Sequence, residues 1–142
     1  MIVSAKTEYA CIAVLELAAR HGRDEPVRIR EIAEAHGVPS RFLVQILLQL
    51  KSAGLVQSIR GAAGGYILAR EPEEITLLDV MTVVDAQLCQ FPTSAARNTV
   101  TTRVLQRTWK TVAAKERELL AEVTFASLVE QLKGAPEGMY YI

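Results

Sequence analysis

The run Val38-Pro39-Ser40-Arg41-Phe42-Leu43-Val44-Gln45-Ile46-Leu47-Leu48-Gln49-Leu50-Lys51-Ser52-Ala53-Gly54 predicts a helix with two unlike faces. Pro39 holds the residue before it extended, Ser40 is a capping type, and Gly54 is a stop, so the helix spans Arg41 to about Ala53. Advancing about 100° per residue, Phe42, Leu43, Ile46, Leu47 and Leu50 share one arc, the expected core face. The opposite arc carries Arg41, Val44, Gln45, Leu48, Gln49, Lys51 and Ser52. Arg can fork onto guanine, Gln onto adenine, and Val can touch a thymine methyl, which is the chemistry that distinguishes base pairs in a major groove. An ordinary solvated helix face is the alternative, against which exposed Val44 and Leu48 count.

Upstream, Arg30 to His36 is a short helix ended by Gly37, and Val27 to Ile29 is a short extended piece after the turn Arg23-Asp24-Glu25-Pro26. Two helices joined by a tight Gly-containing turn form a helix-turn-helix. Lys6 to His21, free of Gly and Pro and followed by Gly22, is the first helix. Downstream, Leu55 to Ser58 and Tyr66 to Leu68 are strand-forming, with Arg60-Gly61-Ala62-Ala63-Gly64-Gly65 between them, and predict a hairpin. The glycines of this loop, Gly61, Gly64 and Gly65, are expected to permit positive φ and close approach to a phosphate, and Arg60 is placed to reach a minor groove. The loop lacks the Lys-Ser/Thr of a P-loop and opens no helix, so nucleotide binding is not expected there.

Charge supports the same surface. The 142 residues carry 16 basic and 16 acidic side chains, yet no acid lies between Glu34 and Glu71. Arg41, Lys51, Arg60 and Arg70 fall in that interval, so a polyanion can lie along it without meeting a carboxylate. Chance composition is the bland alternative. Half the residues are hydrophobic and 23% are charged, as expected of one small domain. No run is long and apolar enough for a membrane span, and the first residues lack an apolar signal core, so the expected location is the cytoplasm.

Beyond the charged connection Arg70 to Glu74, Thr76 and Asp79 have capping-box spacing at the start of a fourth helix through about Val84. Asp85 to Ala96 reads as a loop. From about Asn98 to Val123 no Gly or Pro interrupts, predicting one long helix with Leu105, Trp109, Val112, Leu119 and Val123 spaced by four and three around Glu116. Such a seam calls for another helix, and the chain is expected to form a homodimer along it. Glu116 either pairs with an Arg of the partner and sets register, or lies at an opened, solvated end. Thr124 caps a last short helix, Phe125 to Leu132, and Met139-Tyr140-Tyr141-Ile142 forms a tail suited to docking on a partner surface. The fold class is therefore mostly α with a small β-hairpin wing: a winged helix-turn-helix plus a long C-terminal dimerisation helix.

Lys6-x-x-Tyr9-Ala10, Ile32-Ala33, Phe42-Leu43-x-Gln45-Ile46-Leu47-x-x-Leu50, Gly54-Leu55-Val56-x-Ser58-x-Arg60-Gly61-x-x-Gly64-Gly65-Tyr66-x-Leu68-Ala69-Arg70, Ile75-Thr76 and Asp79-Val80 together resemble the IscR/NsrR/CymR family of bacterial winged-helix transcription regulators. The match runs from residue 1 to about 85. It implies residues 1–84 as the DNA-binding domain, 85–97 as a sensor-type loop, and 98–142 as dimerisation helix, last helix and tail. It also implies a homodimer on a palindromic operator, probed by Ser40, Arg41, Gln45 and Arg60. Some relatives carry Glu beside the recognition Gln; this chain has Val44, which implies a different base preference.

Iron-sulfur members of the family use three cysteines in the loop before the long helix. Here the loop holds Cys89 alone, and the positions where further ligands would fall are Gln106, Arg103 and Arg97. Two copies of Cys89 leave a cluster short of four ligands, with Glu8 or a histidine as the remaining complements. No cofactor and no metal is expected. Cys89 is a candidate redox-sensing thiol or an inert small hydrophobe, and Cys11, beside Ile12 and Leu15, is a core residue. His21 and His36 end helices, where a cation favours the dipole. No nucleophile or metal site joins a base, so the chain is not expected to be an enzyme. The expected function is a dimeric DNA-binding regulator, a repressor, with an unidentified small-molecule effector. A winged-helix protein interaction module is the alternative.

Overall fold

The computed structural model describes residues 1–23 and 25–135. The expected docking tail 139–142 and Asp24 of the expected turn lie outside the described residues. Six α-helices and one hairpin run in the order α1 (Ala5–Ala19), α2 (Ile29–His36), α3 (Ser40–Ser52), β1 (Val56–Ile59), β2 (Gly65–Leu68), a short 3-10 turn (Pro72–Glu74), α4 (Leu77–Val84), α5 (Val100–Glu122) and α6 (Phe125–Gly134). This is the expected mostly α, winged helix-turn-helix class with a long helix near its end.

Local chemistry accounts for most boundaries. Ser4 caps α1 by accepting from the Thr7 amide at 3.2 Å. Thr76 and Asp79 make the expected capping box on α4, each side chain accepting from the other residue's amide, at 3.2 and 3.0 Å. Thr99 and Thr102 form a second, unexpected one on α5. The expected Ser40 cap is corrected: Ser40 is already the first residue of α3. Extended Pro39 is the cap, and its carbonyl accepts from the amides of Phe42 and Leu43. A serine in the helix proper cannot turn its hydroxyl back to the third amide, and no side chain caps α3.

The core is built around α1. Ala10, Ala13, Val14 and Leu17 meet Ile32 of α2, Leu43, Ile46, Leu47 and Leu50 of α3, and Val56 and Leu68 of the hairpin. Phe42 departs from expectation, being 40% exposed. It sits at the edge of the apolar arc, where its ring meets Tyr9 at 6.0 Å and lies under the Arg41 guanidinium at 5.1 Å. Phe125, from beyond α5, is completely buried in the same core as Leu17 and Ile32. Two backbone hydrogen bonds stitch its neighbourhood down, from the Leu77 amide to the Val123 carbonyl (2.9 Å) and from the Phe125 amide to the Ile75 carbonyl (2.8 Å). The start of α4 and the junction of α5 and α6 are thereby one unit.

Helix α5 packs within the chain chiefly on α4. Only Ala113 and Leu120 of α5 are buried, Leu120 against Met81 and Leu88. Leu105, Trp109, Val112 and Leu119 of the expected seam are exposed, Leu119 by 64%, while Val123 and Glu116 are partly buried. No helix among the described residues is long and apolar enough to cross a membrane.

Candidate nucleic-acid interface

Burial of Leu43, Ile46, Leu47 and Leu50 fixes which way α3 faces. With a 3.6-residue period, Arg41, Val44, Gln45, Leu48, Lys51 and Ser52 must then point out, and all six are exposed. Val44 and Leu48 are 44% and 51% exposed, so this arc offers apolar groups to a thymine methyl beside its cation and amide donors. Ser40 opens the helix at the same end as Arg41 and is also exposed. Gln49 differs from its neighbours: it is partly buried, and its Oε1 is buried without a hydrogen-bond partner among the described residues. It flanks the exposed arc and is not at its centre.

The wing is held to this helix rather than hung beside it. Lys51 Nζ donates to Ser58 Oγ at 2.8 Å, joining α3 to β1. The antiparallel register pairs Val56 with Leu68 and Ile59 with Gly65. Val27 and Tyr66 exchange both backbone hydrogen bonds, at 2.9 and 2.8 Å, which adds the extended piece before α2 to the edge of β2. Arg28 then reaches the wing tip and donates to the Ala62 carbonyl. That contact spans 34 residues of sequence, and nothing local signals it.

Gly64 and Gly65 are also required by the packing of the wing itself. A Cβ on Gly65 would stand 2.5 Å from the Val27 carbonyl oxygen, and one on Gly64 would stand 2.2 Å from that of Ile59. Both are required by the wing's own backbone. The positive φ expected of this loop occurs at Gly61, at +110°. Arg60, exposed at the end of β1, projects from the rigid base so formed.

Arg20 pairs with Glu16 and Glu31 and Arg30 with Glu34, and the rings of His21 and His36 lie against Glu71 and Glu16. Among the described residues, Arg41, Lys51, Arg60 and Arg70 have no carboxylate partner. Cations left without internal counter-charge are available to phosphates, and their binding releases condensed ions from a nucleic acid.

The two thiols sit in unlike places. Burial within α1, helped by Glu8, pushes the Cys11 thiol up to about 11. Cys89 lies on the loop after α4 at φ +58°. Its thiol is also raised, by desolvation first and then by a hydrogen bond to, and the charge of, Glu116. Glu116 is in turn 3.4 Å from the Met1 ammonium of its own chain, so the counter-charge it meets within the chain is an amino group. Among the described residues no group of three or more His, Cys, Asp or Glu is arranged to hold a metal ion.

Residues 3–131 match a family profile described as "Rrf2: Iron-dependent Transcriptional regulator". The chain belongs to the Rrf2 family. It is 32% identical over 143 residues to the HTH-type transcriptional regulator CymR of Bacillus subtilis (strain 168), with both chains covered in full. Among solved structures, that of CymR from B. subtilis, titled as the global cysteine regulator, superposes with a TM-score of 0.79 at 30% identity, covering 92% of this chain and 98% of that one. T. potens IscR superposes at 0.77 with 33% identity, covering 100% and 97%. The resemblance carried by the Gly54 to Arg70 block is thus confirmed. This Rrf2 protein is a helix-turn-helix transcription regulator that binds DNA, and not an enzyme. The interaction-module alternative has no supporting observation.

Proposed function

We propose that this Rrf2 protein is a cytoplasmic, homodimeric repressor that sets α3 of each protomer into successive major grooves of a palindromic operator. Ser40, Arg41, Val44, Gln45 and Lys51 face the bases and phosphates, Gln49 supports them from the flank, and Arg60 enters the minor groove from the wing. Gly64 and Gly65 serve by keeping the wing thin and braced. The observation that carries the reading is the interval between Glu34 and Glu71, which builds α3 and the wing, holds no acid, and carries Arg41, Lys51, Arg60 and Arg70 without an ion-pair partner among the described residues. Dimerisation is supported by the exposed apolar positions Leu105, Trp109, Val112 and Leu119, with Glu116 and Val123 at the partly buried end.

The family profile's description raises iron. Iron-sulfur ligation needs several thiolates, and here one loop thiol is held protonated beside a carboxylate while Gln106, Arg103 and Arg97 occupy the neighbouring ligand positions. These residues do not fit a three-cysteine cluster, and the reading includes none. The raised thiol disfavours the thiolate at neutral pH, which favours the inert small hydrophobe over redox sensing at Cys89.

The test is selection of bound fragments from the source genome by the purified, reduced protein, followed by affinity against salt. Recovery of a palindrome with steep salt dependence is expected. Absence of enrichment even at low salt, for reduced protein of verified fold, overturns the reading. Repeating the selection after mild oxidation tests Cys89: unchanged recovery is expected.

A further inference from the structure

A cavity of about 340 Å³ lies under the loop that follows α4, walled by Met1 from the N-terminus, Asp85, Leu88, Cys89 and Phe91 from the loop, and Glu116 from α5. We propose that this cavity binds a compact ligand bearing a primary ammonium group, seated on the Glu116 carboxylate. Three observations carry it. Glu116 already pairs with an ammonium, that of Met1, at 3.4 Å, so the carboxylate is placed and exposed enough to take one. A ligand ammonium competes for the same carboxylate. The side chains lining the cavity include two carboxylates, Asp85 and Glu116, and no Lys, Arg or His. Leu88 is buried as the floor, and the Phe91 ring, 6.0 Å from Trp109, gives an aromatic wall that also favours a cation.

The lining comes from the segment before α1, from the loop and from α5, and Glu116 lies one turn from Val112 on the exposed apolar side of α5. Occupancy therefore acts on the face where the proposed dimer forms. That regulatory consequence rests on the reading above, whereas the binding itself does not. Two sources supply the chemistry: a zwitterionic α-amino acid, whose carboxylate meets the displaced Met1 ammonium, and an aliphatic diamine, whose second ammonium meets Asp85.

The experiment is an NMR titration of the full chain, without an N-terminal tag and without DNA, using L-leucine, putrescine and isovalerate, the last lacking an amino group. Leucine or putrescine is expected to shift the amides of Leu88, Cys89 and Glu116 and to slow alkylation of Cys89 by iodoacetamide; isovalerate is expected to do neither. Response to leucine alone assigns the amino acid, to putrescine alone the diamine, and to both the ammonium as the shared determinant. Glu116→Gln is expected to weaken the response at least about tenfold. No shift and no protection in the wild-type protein up to about 10 mM of either amine overturns the proposal, as does undiminished binding by Glu116→Gln. Because no DNA is present, that failure leaves the operator reading intact.

Discussion

Helices α3 and α5 each carry an apolar arc, and the two arcs have opposite fates. Leu43, Ile46, Leu47 and Leu50 of α3 are completely buried, whereas Leu105, Trp109, Val112 and Leu119 of α5 stay in solvent. The difference is one of neighbours. The apolar face of α3 is enclosed by α1, α2, α4 and β1, while α5 has one main neighbour, α4. Amphipathic periodicity announces that a face seeks cover but not where the cover comes from. In α3 the informative side is therefore the one left polar, and in α5 the one left apolar.

The contrast can be broken most forcefully from the closed side. Phe125→Ala empties the centre of the α1 core and is expected to cost about 3 to 5 kcal/mol in chemical denaturation. A loss below about 1 kcal/mol would mean that α6 is not part of that core. On the open side, Trp109→Glu is expected to convert dimer to monomer in light scattering while helical circular dichroism persists. Affinity for a palindrome should then fall by roughly a hundredfold, about 2.7 kcal/mol. An unaltered dimer would remove the α5 seam from the interface.

A third measurement compares the thiols. Cys11 titrates near 11 when folded against an ordinary 9, so the unfolded chain loses its proton first as pH rises. Its contribution is complete below about pH 9 and is lost between there and about pH 11, on the order of 2 kcal/mol. Urea denaturation at pH 8 and near pH 11 should show that much less alkaline destabilisation in Cys11→Val. The smallest effects concern the reading face itself. Gln45→Ala should cost about 1 to 2 kcal/mol at one base pair and relax preference there. Arg60→Ala should lower affinity evenly across sequences and reduce the salt slope by about one.

What was legible beforehand was what neighbouring residues encode. The two faces of α3, the bounds of α4 and its Thr76–Asp79 box follow from spacing alone. Periodicity misplaces Phe42 because the residue lies at the rim of its arc, where the angle does not say whether Tyr9 covers one side of the ring or all of it. Gln49 looks like Gln45 in sequence; only the packed structure reveals that its carbonyl oxygen is buried. Arg28 on Ala62, Met1 on Glu116 and Phe125 in the α1 core join residues far apart in sequence, and no local period records such meetings. Gly64 and Gly65 also admit the chain's own backbone, a requirement that their sequence neighbours do not reveal.

The tie at Val123 and Phe125 gives α5 a mechanical character. The helix is clamped at its C-terminal end by two backbone hydrogen bonds and by Leu120, while every apolar residue of its first three turns is exposed. It is a cantilever. A rod of 23 residues is roughly 35 Å long, so a tilt of about 5° at the clamp swings the free end by about 3 Å. In the proposed two-fold assembly gripped by these rods, a small displacement beneath the clamp becomes a change in the distance between the two α3 helices.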